Sequence, residues 1–292
     1  MFKPKGLLFV VALLCVLFVI PLHQASAQGS TTASGQAQPS DEVVWQRFLA
    51  WMPNATAAGG ALPVINEYLA QLTSAGTPAA EIDRQRSVIS RMMKERPEGQ
   101  RILYNKTYAS SSPRFTTQPN ALLVATVEGR KPGRALDVGM GQGRNALFLA
   151  LKGWDVTGFD ISDEGIAVAR RNAERAGVKV NAVQQTIEAF DYGIDQWDLI
   201  LLAYEPFPVT SAAYVERLRK SLKPGGLFVL ETHAAESGKP RPTIAIDDPL
   251  QALAAFKDFR LLYFQDTITR PDWPAREGEE SRIVRMVVEK RP

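Results

Sequence analysis

Cysteine and histidine are almost missing from this chain, which has one cysteine, Cys15, and two histidines, His23 and His233, in 292 residues. Long apolar runs are also scarce, and the exception is Gly6 to Ile20 near the N-terminus. Neither sign of charge dominates, with 34 Lys and Arg against 31 Asp and Glu. The apolar run follows Lys3 and Lys5, ends at Pro21 and precedes the small residues Ala25-Ser26-Ala27. That arrangement reads as an export signal over residues 1–27, cleaved near Ala27. Its 15 residues fall short of the roughly 20 that a membrane span requires. The alternative is an uncleaved N-terminal anchor, and only in that case is a membrane a partner. Leu14 before Cys15 is too bulky for lipidation of that cysteine.

Cleavage makes the shortages sharper. The mature chain keeps no cysteine and a single histidine, His233, which excludes disulfides, thiolate nucleophiles and Cys/His zinc sites. No carboxylate spacing suggests a metal. Without Lys3 and Lys5 the charges are nearly balanced, so a broad nucleic-acid-binding surface is not expected.

Residues 28–40 are rich in Ser, Thr, Gly and Gln, carry no charged side chain and read as a flexible linker. Residues 41–100 carry three apolar stripes at helical spacing: Val44, Trp45, Phe48, Leu49 and Met52; then Val64, Ile65, Tyr68, Leu69 and Leu72; then Ile82, Ile89, Met92 and Met93. Ser40 is placed to cap the first helix and Pro97 to stop the third. From about residue 101 strands and helices alternate. The expected fold class is therefore α/β, a Rossmann-like doubly wound sheet, with the small α-helical segment in front. The last two strands, about 261–269 and 282–289, have no helix between them and predict an antiparallel pair at one edge.

The chemistry-bearing motif is Ala135-Leu-Asp-Val-Gly-Met-Gly-Gln-Gly-Arg-Asn145. An apolar strand ends in Asp137, and Gly139, Gly141 and Gly143 alternate before a helix begins. Such a loop lets backbone approach a ligand and aims helix N–H groups at its polar part. A dinucleotide fingerprint would need glycine where Arg144 stands, which disfavours a nicotinamide-dependent oxidoreductase. An acid two places before the first glycine suits a ligand that carries an amino group. Asp160 ends the next strand, where a carboxylate either accepts ribose hydroxyls or caps the following helix. Leu222-Lys-Pro-Gly-Gly-Leu-Phe-Val-Leu-Glu231 reads as a helix end, a tight turn and a buried strand.

The successive motifs ALDVGMGQGRNA, VTGFDIS, DLILLAYEP and LKPGGLFVLET resemble those of class I S-adenosylmethionine-dependent methyltransferases, in the same order over residues 101–292. Within them, GQGRNALFLALKGWDVTGFDIS is similar to the tellurite-resistance and thiopurine methyltransferase branch. The resemblance implies a seven-stranded sheet whose last strand is inserted antiparallel. It also implies S-adenosylmethionine held by Asp137, Gly139, Gly141, Gly143 and Asp160, with Ile161 beside the adenine. Where many relatives carry an acid after the third strand, this chain has Val183-Gln-Gln-Thr186, which leaves the adenine amino group to Gln185 or Thr186. Leu202-Ala-Tyr-Glu-Pro-Phe207 departs from the Asn/Asp-Pro-Pro-Tyr pattern of amino-directed enzymes, so a small-molecule acceptor is expected: a thiol, a chalcogen oxyanion or similar.

Tyr204, Glu205 and His233 each follow a strand end and are the candidate bases for an oxygen or nitrogen acceptor, although each also has a purely structural reading. Tyr104, Tyr108, Arg114 and Phe115 precede the first strand and are placed either to cover the cofactor or only to pack. The rival function is a non-catalytic ligand-binding or scaffold protein on the same fold.

Overall fold

The computed structural model describes residues 38–57, 60–110, 116–239, 245–273 and 280–292. The compact unit runs from Pro39 to Pro292. The export signal, nearly all of the linker, Arg114 and Phe115 lie outside the described residues.

Four helices come first: α1 (Asp41–Trp51), α2 (Ala61–Ser74), α3 (Ala79–Glu95) and α4 (Pro97–Ala109). Ser40 caps α1 as expected, its side chain accepting from the N–H of Val43. The predicted stripes close into a core of their own, in which Val44, Trp45, Phe48, Ile65, Leu69 and Ile89 are all buried. Pro97 does end α3, but it also begins α4. Proline at the first helical position loses only an N–H that would have had no partner there. The boundary expected near residue 100 thus falls inside a helix.

The remainder runs α5 (Ala121–Val127), β1 (Arg134–Val138), α6 (Arg144–Leu151), β2 (Asp155–Asp160), α7 (Asp163–Arg175), β3 (Asn181–Gln184), β4 (Trp197–Ala203), α8 (Ala212–Ser221), β5 (Leu222–His233), α9 (Pro249–Ala255), β6 (Arg260–Thr269) and β7 (Ser281–Glu289). They form one seven-stranded sheet in the order β3-β2-β1-β4-β5-β7-β6. Strand β7 is antiparallel to both β5 and β6, so the edge pair and the inserted last strand are present as expected. Lys223-Pro-Gly-Gly226, expected as a tight turn between helix and strand, is instead the start of β5. There the ladder with β4 shifts register between Trp197 and Leu199, and Gly225 and Gly226 exchange backbone hydrogen bonds with Lys290.

Two apolar layers cover the sheet. One gathers Leu136, Val138, Phe159, Leu202, Phe228 and Phe256. The other gathers Ala135, Leu149, Val156, Ile166, Leu199 and Leu201. Chain order reverses between β1 and β4, and in open α/β sheets a ligand crevice opens at the carboxyl ends of the strands at that point. Among the described residues, no helix is long and apolar enough to cross a membrane, and no cluster of His, Cys, Asp and Glu is placed to hold a metal ion.

Candidate active site

Strand β1 ends at Val138, and the chain then turns through Gly139, whose φ of +67° places it in the left-handed region. A side chain would be strained there, and it would also collide, because an added Cβ would lie 2.5 Å from Oε2 of Glu205. Gly141 is equally constrained, since a Cβ would run into the hydroxyl of Tyr108. Gly143 closes the loop as the N-cap of α6. Backbone, two carboxyls and a phenol therefore meet where the sequence placed its glycine loop.

Three acids converge on this loop. Asp137 lies beneath it, 2% exposed, facing the first turn of α6 through the N–H of Ala146. Its Oδ2 is buried without a hydrogen-bond partner. Burial raises its pKa to about 7, and the nearby Arg144 only partly offsets that rise. Asp160 accepts from the N–H of Gly141 through Oδ2 and from the N–H of Ser162 through Oδ1, each at 2.8 Å. Burial nevertheless pushes its pKa up. Glu205 is raised as well, by burial first and then by the Asp160 charge. Two negative charges held close in a dry cleft cannot both be favourable, so the site is short of positive charge. Arg144 does not make up the deficit, because it is committed to the Gln118 carbonyl and to Asp272, at 3.0 Å each.

Glu205 reaches the loop because the chain bends sharply after β4. Tyr204 has φ +61°, unusual for a bulky residue and costing on the order of 1 kcal/mol or more. Its N–H donates to the Glu231 carbonyl, and its hydroxyl donates to Glu231 Oε1. Arg285 pairs with the same carboxylate through Nε, at 3.0 Å. The phenol of Tyr204 is raised far out of range for a base, by burial and by the Glu231 charge. Tyr204 thus anchors the bend and presents Glu205.

Helix α4 and the segment after β6 form the walls. Asn105 Oδ1 accepts from the Ser162 hydroxyl at 2.7 Å, tying α4 to the start of α7, and brings Tyr104 and Tyr108 over the cleft. Asp272 receives Arg144 and Asn120, and Trp273 beside it stands 6.0 Å from the Tyr204 ring. The cleft so formed is lined by Tyr104, Tyr108, Met140, Asp160, Glu205 and Trp273, among others.

Of the residues expected from sequence, Gly139, Gly141, Asp160, Ile161, Tyr204 and Glu205 line this cleft. Asp137 and Gly143 support it from beneath. Gln185 and Thr186 do not line it; Gln185 donates its backbone N–H to the Asp160 carbonyl, and Thr186 Oγ accepts from the N–H of Ala189. His233 does not line it either; it is buried at the end of β5 behind Tyr204, with the two rings 5.2 Å apart and Nδ1 3.0 Å from the Ser281 hydroxyl. Sequence reasoning missed Asn105, Asp272 and Trp273. The only trace they left was the Arg144 that excluded a dinucleotide, since an arginine buried at a helix start requires an acid from somewhere.

Residues 135–226 match the family model of a methyltransferase domain. S-adenosylmethionine is the cofactor of that domain. Its cationic sulfonium and amino groups fit a cleft short of positive charge, and the unpartnered Oδ2 of Asp137 fits an amino donor. Similar curated proteins include the ubiquinone biosynthesis O-methyltransferase of Pectobacterium atrosepticum, 38% identical over 110 residues, which are 36% of this chain and 44% of that protein. The same-named protein of Paramagnetospirillum magneticum is 40% identical over 96 residues, 32% of this chain and 38% of that protein. The chain thus spans less than half the length of the curated relatives it matches. Among solved structures, TehB from Haemophilus influenzae superimposes with a TM-score of 0.51 at 19% identity, covering 66% of this chain and 67% of that chain. A protein solved for the conversion of a disulfide bond into a thioacetal group during echinomycin biosynthesis gives 0.53 at 19% identity, covering 67% and 91%. These two likenesses show the fold alone.

Proposed function

We propose that this protein transfers the methyl group of S-adenosylmethionine to a hydroxyl of a small-molecule acceptor. The observation that carries the reading is the placement of Asp137, Asp160 and Glu205 around one glycine loop, two carboxyls in the cleft and a third beneath it, with no uncommitted cation among the described lining residues. Asp137 is the residue to hold the amino group, Asp160 the ribose, and the loop backbone the polar link between them.

When bound, S-adenosylmethionine supplies a methyl carbon whose bond to sulfur breaks, with its electron pair staying on sulfur, as the acceptor oxygen attaches. Everything else falls to the chain. Glu205 takes the proton of the acceptor hydroxyl, and Asp160 at the other end of the pair keeps that carboxyl basic. Tyr104, Tyr108 and Trp273 keep water out, so positioning supplies much of the acceleration. Oxygen is favoured over a thiol or chalcogen oxyanion because a soft nucleophile needs no base, and because the curated relatives are named as O-methyltransferases. Likeness in the glycine-loop region to the tellurite-resistance branch keeps soft acceptors as the second series to screen. The N-terminal apolar run supports an exported location.

Calorimetric titration of the chain from Gln28 onward tests the reading. S-adenosylmethionine is expected to bind and NADH not to bind, with Asp160→Ala abolishing the interaction. Folded protein that ignores S-adenosylmethionine sinks the proposal and leaves a scaffold.

A further inference from the structure

A second cavity of about 250 Å³ adjoins the cleft and shares Glu205 with it. Apart from Glu205 and Thr232, its described lining is apolar: Leu202 and Leu230 from the ends of β4 and β5, Pro206, Phe207, Pro208 and Val209 from the chain after β4, and Ala245 and Ile246. No described lining residue is cationic, and Glu205 is the only acid. The walls are built to last. Two prolines fix φ on either side of Phe207, Phe207 packs edge-on against Tyr214 at 4.9 Å, and Ile246 bridges to Ala234 while exchanging backbone bonds with His233 and Ala235.

The junction decides what this chamber is for. The Glu205 carboxyl rests over Gly139 in the cofactor loop and also forms part of the chamber wall. Its direction follows from the anchored bend at Tyr204. A molecule seated among Phe207, Val209 and Ile246 thus has Thr232 and Glu205 as its polar neighbours, and of the two Glu205 is the one that reaches the cofactor loop. An anion would meet a carboxyl with no counter-cation, and a strongly hydrated cation would lose its water to alkyl walls. A neutral molecule with an apolar body and one hydroxyl satisfies both ends.

We propose that this chamber seats the methyl acceptor and selects a neutral, apolar-bodied alcohol or phenol, with Phe207, Val209 and Ile246 determining specificity. The proposal rests on the methyl-transfer reading above, but its test does not depend on activity.

2-Naphthol, titrated by its own fluorescence, is the probe; 2-naphthoate and naphthalene are its charged and hydroxyl-free counterparts. The expected order is naphthol tightest, naphthalene weaker, and naphthoate weakest by about tenfold or more. Ile246→Trp, which fills the mouth of the chamber, is expected to weaken naphthol about tenfold while leaving S-adenosylmethionine affinity within about twofold. Val209→Thr, nearly the same size but polar, guards against a misfolded tryptophan variant and is expected to weaken naphthol by about threefold. Naphthoate binding tighter than naphthol overturns the proposal. So does naphthol binding that both folded variants leave untouched, or that S-adenosylmethionine displaces competitively. Loss of S-adenosylmethionine binding with naphthol binding intact would count against the methyl-transfer reading alone.

Discussion

The hydroxyl of Tyr204 donates to Oε1 of Glu231 at 2.5 Å across the ends of β4 and β5. The pair holds a left-handed residue at the bend that aims Glu205, and Arg285 on β7 balances the Glu231 charge from the other side. Removing the hydroxyl leaves the ring packed but unties the bend. Tyr204→Phe is therefore expected to lower stability in urea by about 1–2 kcal/mol. Arg285→Met, which strands a buried carboxylate, should cost more, about 3 kcal/mol. Equal losses for the two variants would argue that Glu231 is not held as a charged pair.

Asp137→Asn separates binding from stability. The amide keeps the shape but gives up a charged acceptor, so S-adenosylmethionine should bind about 10- to 100-fold more weakly by calorimetry. The variant without ligand should unfold at a higher temperature than the parent at pH 8, because a buried carboxylate with one oxygen unpartnered has been neutralised. A variant that loses both affinity and stability would point to a structural role instead.

The pH dependence follows from the same residue. Its pKa in the folded protein is raised to about 7 from an ordinary 3.8, so the folded state holds its proton more tightly than the unfolded chain does. The associated stability is complete below the ordinary value and is lost as pH rises through about 7. Burial pushes Asp160 and Glu205 the same way. The thermal midpoint without ligand should fall between about pH 5 and pH 8. A cationic ligand favours the ionised forms, so S-adenosylmethionine should bind more tightly at pH 8 than at pH 5.5 and release protons. Titration in buffers of different ionisation enthalpy reads that release directly.

Glu205→Gln tests the base. For a hydroxyl acceptor kcat should fall by about 100-fold or more, with S-adenosylmethionine affinity within about threefold of the parent. A thiol acceptor, which needs no base, should lose far less. A uniform loss for both acceptors would assign Glu205 to positioning.

Gly99 on α4 lies against Trp45 so closely that a Cβ there would sit 2.7 Å from the ring and would overlap the Met93 sulfur. Met93 can yield and Trp45, fully buried, cannot. Gly99→Ala is expected to cost about 1–3 kcal/mol despite the better helix propensity of alanine. It should also weaken S-adenosylmethionine binding, because α4 carries Tyr104 and Tyr108 to the cleft.

The parts of this site legible in sequence are those built by consecutive residues. β1 and β2 begin and end where the apolar pattern places them, and Asp137, Gly139, Gly141 and Asp160 follow from those ends. Pairings across long stretches of chain were not legible: Arg144 meets Asp272 128 residues away, and Ser162 meets Asn105 57 residues away. Proline at residue 97 carries two meanings, and the sequence pattern alone showed the end of α3 but not the start of α4. Tyr204 looked like a base because it follows a strand; only the carboxylate facing it from β5 shows why it is held protonated. Lys223-Pro-Gly-Gly226 looked like a turn because nothing local reveals that Lys290 completes its ladder.

Helix α4 contributes Ile102 and Leu103 to the helical core, Tyr104 and Tyr108 to the cleft, and Asn105 to the tie with Ser162. The two regions consequently share a cooperative unit, since α4 cannot open on one side and stay closed on the other. Amide hydrogens in α1 and α3, which touch no ligand, would exchange with solvent more slowly once the cleft is filled. Mutations in that distant helical layer would register as changes in ligand affinity.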